Sequence, residues 1–207
     1  MFQIAFAALA LAQSADLDPD YAACIAEVET NPGAAYSRAA RWTARRGGAP
    51  AEHCLALAEI ALGKTGVAAR RLRALADEEA NDPGLKARLL VQATEASLAA
   101  DNIAEAVDAA EEALLAAPNA FEVNAAAAKA FAGAGRWGRV VSAVDAADAD
   151  NRAAPGLIVV RGRAKQALGD YEGAFDDVVE ALSRDPENID ALVLRGELLQ
   201  ATRAARR

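Results

Sequence analysis

Apolar positions along this chain recur at helical rather than strand spacing. β-Branched and aromatic residues nowhere alternate with polar ones over a useful window, so strands are not expected. Phe131, Trp137, Tyr171 and Phe175 fall at helical spacing and read as core rather than as a ligand cage. Turn-forming clusters stand between the periodic stretches. Asp18-Pro19 opens a helix over 18–31, Asn31-Pro32-Gly33 separates it from one over 33–46, and Gly47-Gly48-Ala49-Pro50 ends that pair. Residues 50–64 and 66–80 read as a second pair around Gly63-Lys64-Thr65-Gly66, and Asn81-Asp82-Pro83-Gly84 breaks the chain after it. The region 16–82 is thus an irregular run of helix pairs. No linker long enough to separate it from the C-terminal part of the chain is evident.

From residue 83 onward a period emerges. Pro118 and Pro186 are 68 residues apart, twice 34, and Gly162 and Gly196 are 34 apart. Ala106 with Ala174, and Ala113 with Ala181, keep the same register without a gap. Residues 169–188 carry Gly169 at a turn, then Tyr171, Ala174, Ala181-Leu182 and Pro186. This stretch resembles the second half of a tetratricopeptide repeat. Small residues at Gly162 and Ala174 let two helix axes approach, and Pro186 cannot continue a helix.

Working back in that register gives repeats over 87–120, 121–154 and 155–188, then a lone helix from about 189 to 203. The middle repeat departs from the pattern, with Arg152 in place of proline and Val140 in place of alanine, yet keeps Gly135 and Trp137. The final helix, with Arg203, Arg206 and Arg207, reads as a polar cap on the stack. The resemblance implies an all-α fold, a right-handed superhelical stack of antiparallel helix pairs. It would be one solenoid, with 83–207 continuing 16–82.

Composition sharpens this picture. Hydrophobic residues make up 54% of the chain but aromatics only 5%, so alanine carries much of the balance and favours closely packed helices. Lys+Arg 22 against Asp+Glu 30 gives a net charge of -8, which disfavours nucleic acid and anionic membrane surfaces as partners.

The first fifteen residues are uncharged, and Ala10-Leu11-Ala12 fits the small-residue pattern of a signal-peptidase site. Residues 1–12 therefore read as a signal peptide of a bacterial, periplasmic or secreted protein. The n-region lacks Lys and Arg. The alternative is an apolar helical start or frayed tail, which would leave the protein cytoplasmic. The run is about half the length that crosses a bilayer, so no membrane insertion is expected after processing. Tyr21-Ala22-Ala23-Cys24 is not a lipoprotein box, because Asp16, Asp18 and Asp20 separate it from the apolar run.

In stacks of the resembled kind, first helices of successive pairs lie side by side. Cys24 and Cys54 fall on the first helices of the two N-terminal pairs, which would bring them within disulfide range in an exported protein. Two buried thiols are the alternative.

The tests for chemistry fail. A phosphate loop around Gly63-Lys64-Thr65 would need a glycine at Ala58 and a preceding strand. The single histidine, His53, has no oriented nucleophile and reads as a surface residue near a helix start. One His and two Cys fall short of a zinc site. Asp145, Asp148 and Asp150, like Asp16, Asp18 and Asp20, lack the glycine and glutamate of a calcium loop. No cofactor, metal or catalytic residue is expected, and the chain is not expected to be an enzyme.

The resemblance implies a non-catalytic interaction module or scaffold that holds a peptide or helix in its concave face. Carried over position by position, that face comprises Arg88, Val91, Glu95 and Leu98 in the first repeat, and Glu122, Ala125 and Lys129 in the second. The third contributes Val159, Arg163 and Gln166, and the last helix Asp190, Val193 and Glu197. Val91, Ala125 and Val159 replace polar residues with which some members grip a peptide carboxylate, so that clamp is missing. The alternatives are an accessory subunit of an enzyme or envelope-assembly complex, or a self-associating structural protein.

Overall fold

The computed structural model describes residues 19–149 and 153–205, and among them every regular element is a helix. The expected leader over 1–12 lies outside the described residues, as do Asp16, Asp18, Asp150, Arg152, Arg206 and Arg207. The chain divides into two compact units, 1–64 and 65–207.

The first unit holds α1 (Pro19–Thr30), α2 (Pro32–Ala44) and α3 (Gly48–Ala61), each packed on the other two. Asn31 caps α2 by accepting from the Ala34 amide at 3.2 Å, and Pro32 sits where no intrahelical donor is needed. One buried cluster joins the three helices through Tyr21, Cys24, Ala39, Trp42, Ala51, Cys54 and Leu55. His53 is not the surface residue expected. It is partly buried, because its Nδ1 lies 2.8 Å from the Tyr21 hydroxyl and the two rings pack together. Burial pushes the Tyr21 phenol above its ordinary value.

The second unit holds α4 (Thr65–Glu78), α5 (Pro83–Ala99), α6 (Ile103–Ala116), α7 (Phe121–Gly133), α8 (Trp137–Ala147), α9 (Pro155–Ala167), α10 (Tyr171–Arg184) and α11 (Ile189–Ala205). Each helix packs on its sequence neighbours, and α5, α7, α9 and α11 also lie side by side in order. This is a stack of helix hairpins. Side-chain caps set the starts of four helices: Asp82 for α5, Asn102 for α6, Asp170 for α10 and Asn188 for α11. Hairpin turns keep the period of 34. Gly135 and Gly169 take positive φ, and Asp101 adopts the same backbone (φ 57°) at the equivalent place in the first repeat.

Where paired helices cross, side-chain size is shared between them. The crossing positions are Thr94, Ala128 and Gly162 on the first helices, and Ala106, Val140 and Ala174 on the second, all fully or nearly fully buried. The irregular Val140 is thus matched by Ala128. At Gly162 there is little space to spare: a Cβ would sit 3.0 Å from Leu194 Cδ2, 3.3 Å from Asp177 Cβ and 3.5 Å from the Ala174 carbonyl.

Residues 50–64 and 66–80, read as a second pair, correspond to α3, which ends the first unit and packs there on α1 and α2, and α4, which opens the second and packs along α5. One expectation changes: the last helix is not a polar cap. It buries Ala191, Leu194 and Leu198 against the stack, but leaves Ile189, Leu192, Val193 and Leu199 exposed.

Candidate partner-binding surface

The period of 34 turns sequence positions into rows across α5, α7, α9 and α11. One row is Glu95, Lys129, Arg163 and Glu197, one residue from each helix. Lys129 Nζ lies 3.3 Å from Glu95 Oε1, and Arg163 Nη1 lies 3.8 Å from Glu197 Oε2. The row therefore reads acid, base, base, acid, with each cation drawn to the acid on its outer side. All four side chains are about half exposed, so each pair contributes at most about 1 kcal/mol and can be exchanged for a ligand charge at little cost.

The other expected positions divide by depth. Arg88, Glu122 and Asp190 are exposed. Val91, Ala125 and Gln166 are half-buried, and Leu98 and Ala125 pack against the core. Val193 is exposed on α11. Val159 is a correction: at 2% exposure it belongs to the core beside Ile158 and offers a ligand no surface.

Behind this face lies a group of charges that periodicity alone does not single out. Arg161 on α9 is 9% exposed and is ringed by carboxylates from both neighbouring helices. It reaches Asp177 at 2.8 Å and Glu180 at 3.0 Å on α10, and Asp145 at 2.9 Å and Asp148 at 3.9 Å at the end of α8. Lys165 adds a second contact to Asp177, at 3.0 Å. Arg184 pairs with Glu180 and donates to the Ala153 carbonyl at 2.8 Å. Burial works against the Arg161 charge, but the hydrogen bonds and fields of Asp177 and Asp145 outweigh it and hold the guanidinium above its ordinary value. This network ties the second repeat to the third.

In the first unit, Cys24 and Cys54 are fully buried and face each other, with Cα atoms 6.3 Å apart and sulfurs at bonding distance. Two concavities in the second unit have volumes of about 170 Å³, between α4, α5 and α6, and about 320 Å³, beside Lys86 and Glu112. Their linings are mostly alanine and ion-paired residues. Among the described residues no cluster of three or more His, Cys, Asp or Glu is placed to hold a metal, and no helix is long and apolar enough to cross a membrane.

Solved structures superpose on most of this chain. YrrB, described as a TPR protein with an unusual peptide-binding site, matches with a TM-score of 0.71 at 12% identity, over 87% of this chain and 92% of its own. TTC0263, a thermophilic TPR protein from Thermus thermophilus, matches with a TM-score of 0.57 at 15% identity, over 87% and 97%. This chain has the tetratricopeptide-repeat fold. The first TPR of Spaghetti (RPAP3), solved bound to the HSP90 peptide SRMEEVD, matches over a shorter span. Its TM-score is 0.52 at 24% identity, covering 56% of this chain and 92% of that one. No protein-family model and no curated protein matches the chain in sequence.

Proposed function

We propose that the protein is a non-catalytic interaction module that holds a protein segment across α5, α7, α9 and α11. The observation that carries this reading is the row Glu95–Lys129–Arg163–Glu197. Four half-exposed charges stand at one repeat's spacing, each held by a weak pair that a ligand can replace. Two adjacent cations at the centre suit acidic side chains, and the two outer acids suit basic ones. The superposed YrrB and RPAP3 folds carry peptide sites, which supports the same use of this surface. With Val91, Ala125 and buried Val159 at a clamp position, recognition here uses side chains within a segment rather than a terminal carboxylate.

The module acts outside the cytoplasm in this reading, after loss of the leader over 1–12. Cys24 and Cys54 then close a disulfide in an oxidising compartment, as their 6.3 Å Cα separation allows.

A displayed peptide library tests the proposal. Peptides selected on the wild-type protein are expected to bind the Lys129→Glu/Arg163→Glu variant at least about tenfold more weakly, with the acidic positions of the peptides responsible. The same variant should unfold within about 1–2 kcal/mol of wild type, because only exposed pairs are lost. Equal affinities for both proteins would remove this face as the binding site.

A further inference from the structure

The repeat that covers α9 predicts what should cover α11. On α9, the face turned to α10 consists of Ile158, Arg161, Gly162 and Lys165. Ile158 is fully buried, Arg161 is bonded to Asp177 and Glu180, and Gly162 lies against Ala174. Shifted by one period, the same face on α11 is Leu192, Arg195, Gly196 and Leu199.

Among the described residues nothing lies over it. Leu192 is 36% exposed and Leu199 43%, and a Cβ built on Gly196 meets nothing within 4 Å. Arg195 is exposed and meets no carboxylate among the described residues. Ile189, 75% exposed, extends the stripe to 189, 192, 196 and 199, a three–four–three spacing. That spacing suits a single helix packed lengthwise, with Gly196 allowing close approach at the centre.

We infer that α11 is an open docking site for an amphipathic helix of a partner protein, one that repeats the chemistry of α10. The occupant presents a small residue to Gly196, apolar side chains to Leu192 and Leu199, and a carboxylate to Arg195. On α10 these roles fall to Ala174, Val178 and the pair Asp177 and Glu180, a small–x–x–acid–x–x–acid pattern. Charge favours a foreign helix over a second copy of this chain. Two α11 helices laid antiparallel across Gly196 would place both Arg195 side chains on the same flank, where they repel. The site is separate from the Glu95–Glu197 row and stands or falls apart from it.

The probe is a fluorescent peptide spanning residues 170–188, titrated with the full chain. Saturable one-to-one binding is expected. Arg195→Glu should weaken it at least about tenfold, and a peptide with Asp177 changed to Arg should regain that loss on the Arg195→Glu protein while binding wild type poorly. Gly196→Leu should abolish binding without unfolding the chain, since the position is open, and Lys129→Glu should leave it unchanged. No saturable binding, or binding indifferent to residues 195 and 196, would overturn the proposal. So would light scattering that shows a dimer of the free chain dissociated by Gly196→Leu, because the occupant would then be a second copy.

Discussion

Replacing Arg161 with methionine is expected to destabilise the second unit by about 3–5 kcal/mol. The guanidinium is held by four carboxylates, and Asp177 among them is only 2% exposed. Methionine fills much of the volume but leaves Asp177 with Lys165 as its remaining cation, so a buried charge loses most of its compensation. Asp145 is 57% exposed and contributes little, because water screens it. Arg161→Lys keeps the charge but cannot bridge α8 and α10 with a planar fork, so a loss of about 1–3 kcal/mol is expected. The double variant Arg161→Met/Asp177→Leu should recover much of the deficit, since it removes both charges together. Urea unfolding followed by circular dichroism reads the change as a lower midpoint at constant slope. A loss below about 1 kcal/mol for Arg161→Met would show that solvent, rather than Arg161, compensates these carboxylates.

Changing both Cys24 and Cys54 to serine is expected to have a comparable effect, confined to the first unit. Their sequence separation of 30 gives a stabilisation of about 3–4 kcal/mol in the chain-entropy model. Among the described residues the unit has three helices, and the buried cluster around the two cysteines is seven residues. Domains of this size rarely hold more than about 3–5 kcal/mol without a cross-link, so most of their stability goes with it. Hydrogen exchange is the appropriate readout. Amides of α1, α2 and α3 should lose protection by about two to three orders of magnitude in the double serine variant, while those of α7 to α10 stay protected. Unchanged exchange in α1 to α3 would mean that the pair adds nothing to the fold.

Much of the second unit was legible because its signals are local. Asn81-Asp82-Pro83-Gly84 and Gly169 mark helix ends where the structure has them. What periodicity assigns, however, is a row and not a depth. Val91, Val159 and Val193 occupy one row, yet only Val159 is buried, because its neighbours close over it in three dimensions. The Arg161 network was hidden for a related reason. A charge at a helical position reads as solvated until a carboxylate sixteen residues away is seen to face it. The opposite charges of Glu95 with Lys129, and of Arg163 with Glu197, were readable at a spacing of 34 and needed only the adjacency of successive first helices. The division between Lys64 and Thr65 had no such signal. Its turn, Gly63-Lys64-Thr65-Gly66, has the composition of any turn between two helices. Near the end of the sequence, Arg203, Arg206 and Arg207 suggested a polar cap, but arginine content does not say which face of α11 carries the leucines.

A pair of glycine-to-alanine changes tests the architecture most directly. Gly162 and Gly196 are one period apart, on α9 and α11, but among the described residues a second helix crosses Gly162 and none crosses Gly196. Gly162→Ala should destabilise by about 1–3 kcal/mol, since the added methyl must displace Leu194 and Asp177. Gly196→Ala should stabilise by about 0.5–1 kcal/mol, because it gains helix propensity and meets no obstacle. Denaturant unfolding of the two variants should give shifts of opposite sign. Two stabilised proteins, or a Gly196→Ala loss as large as that at Gly162, would contradict the proposed stacking of helix hairpins.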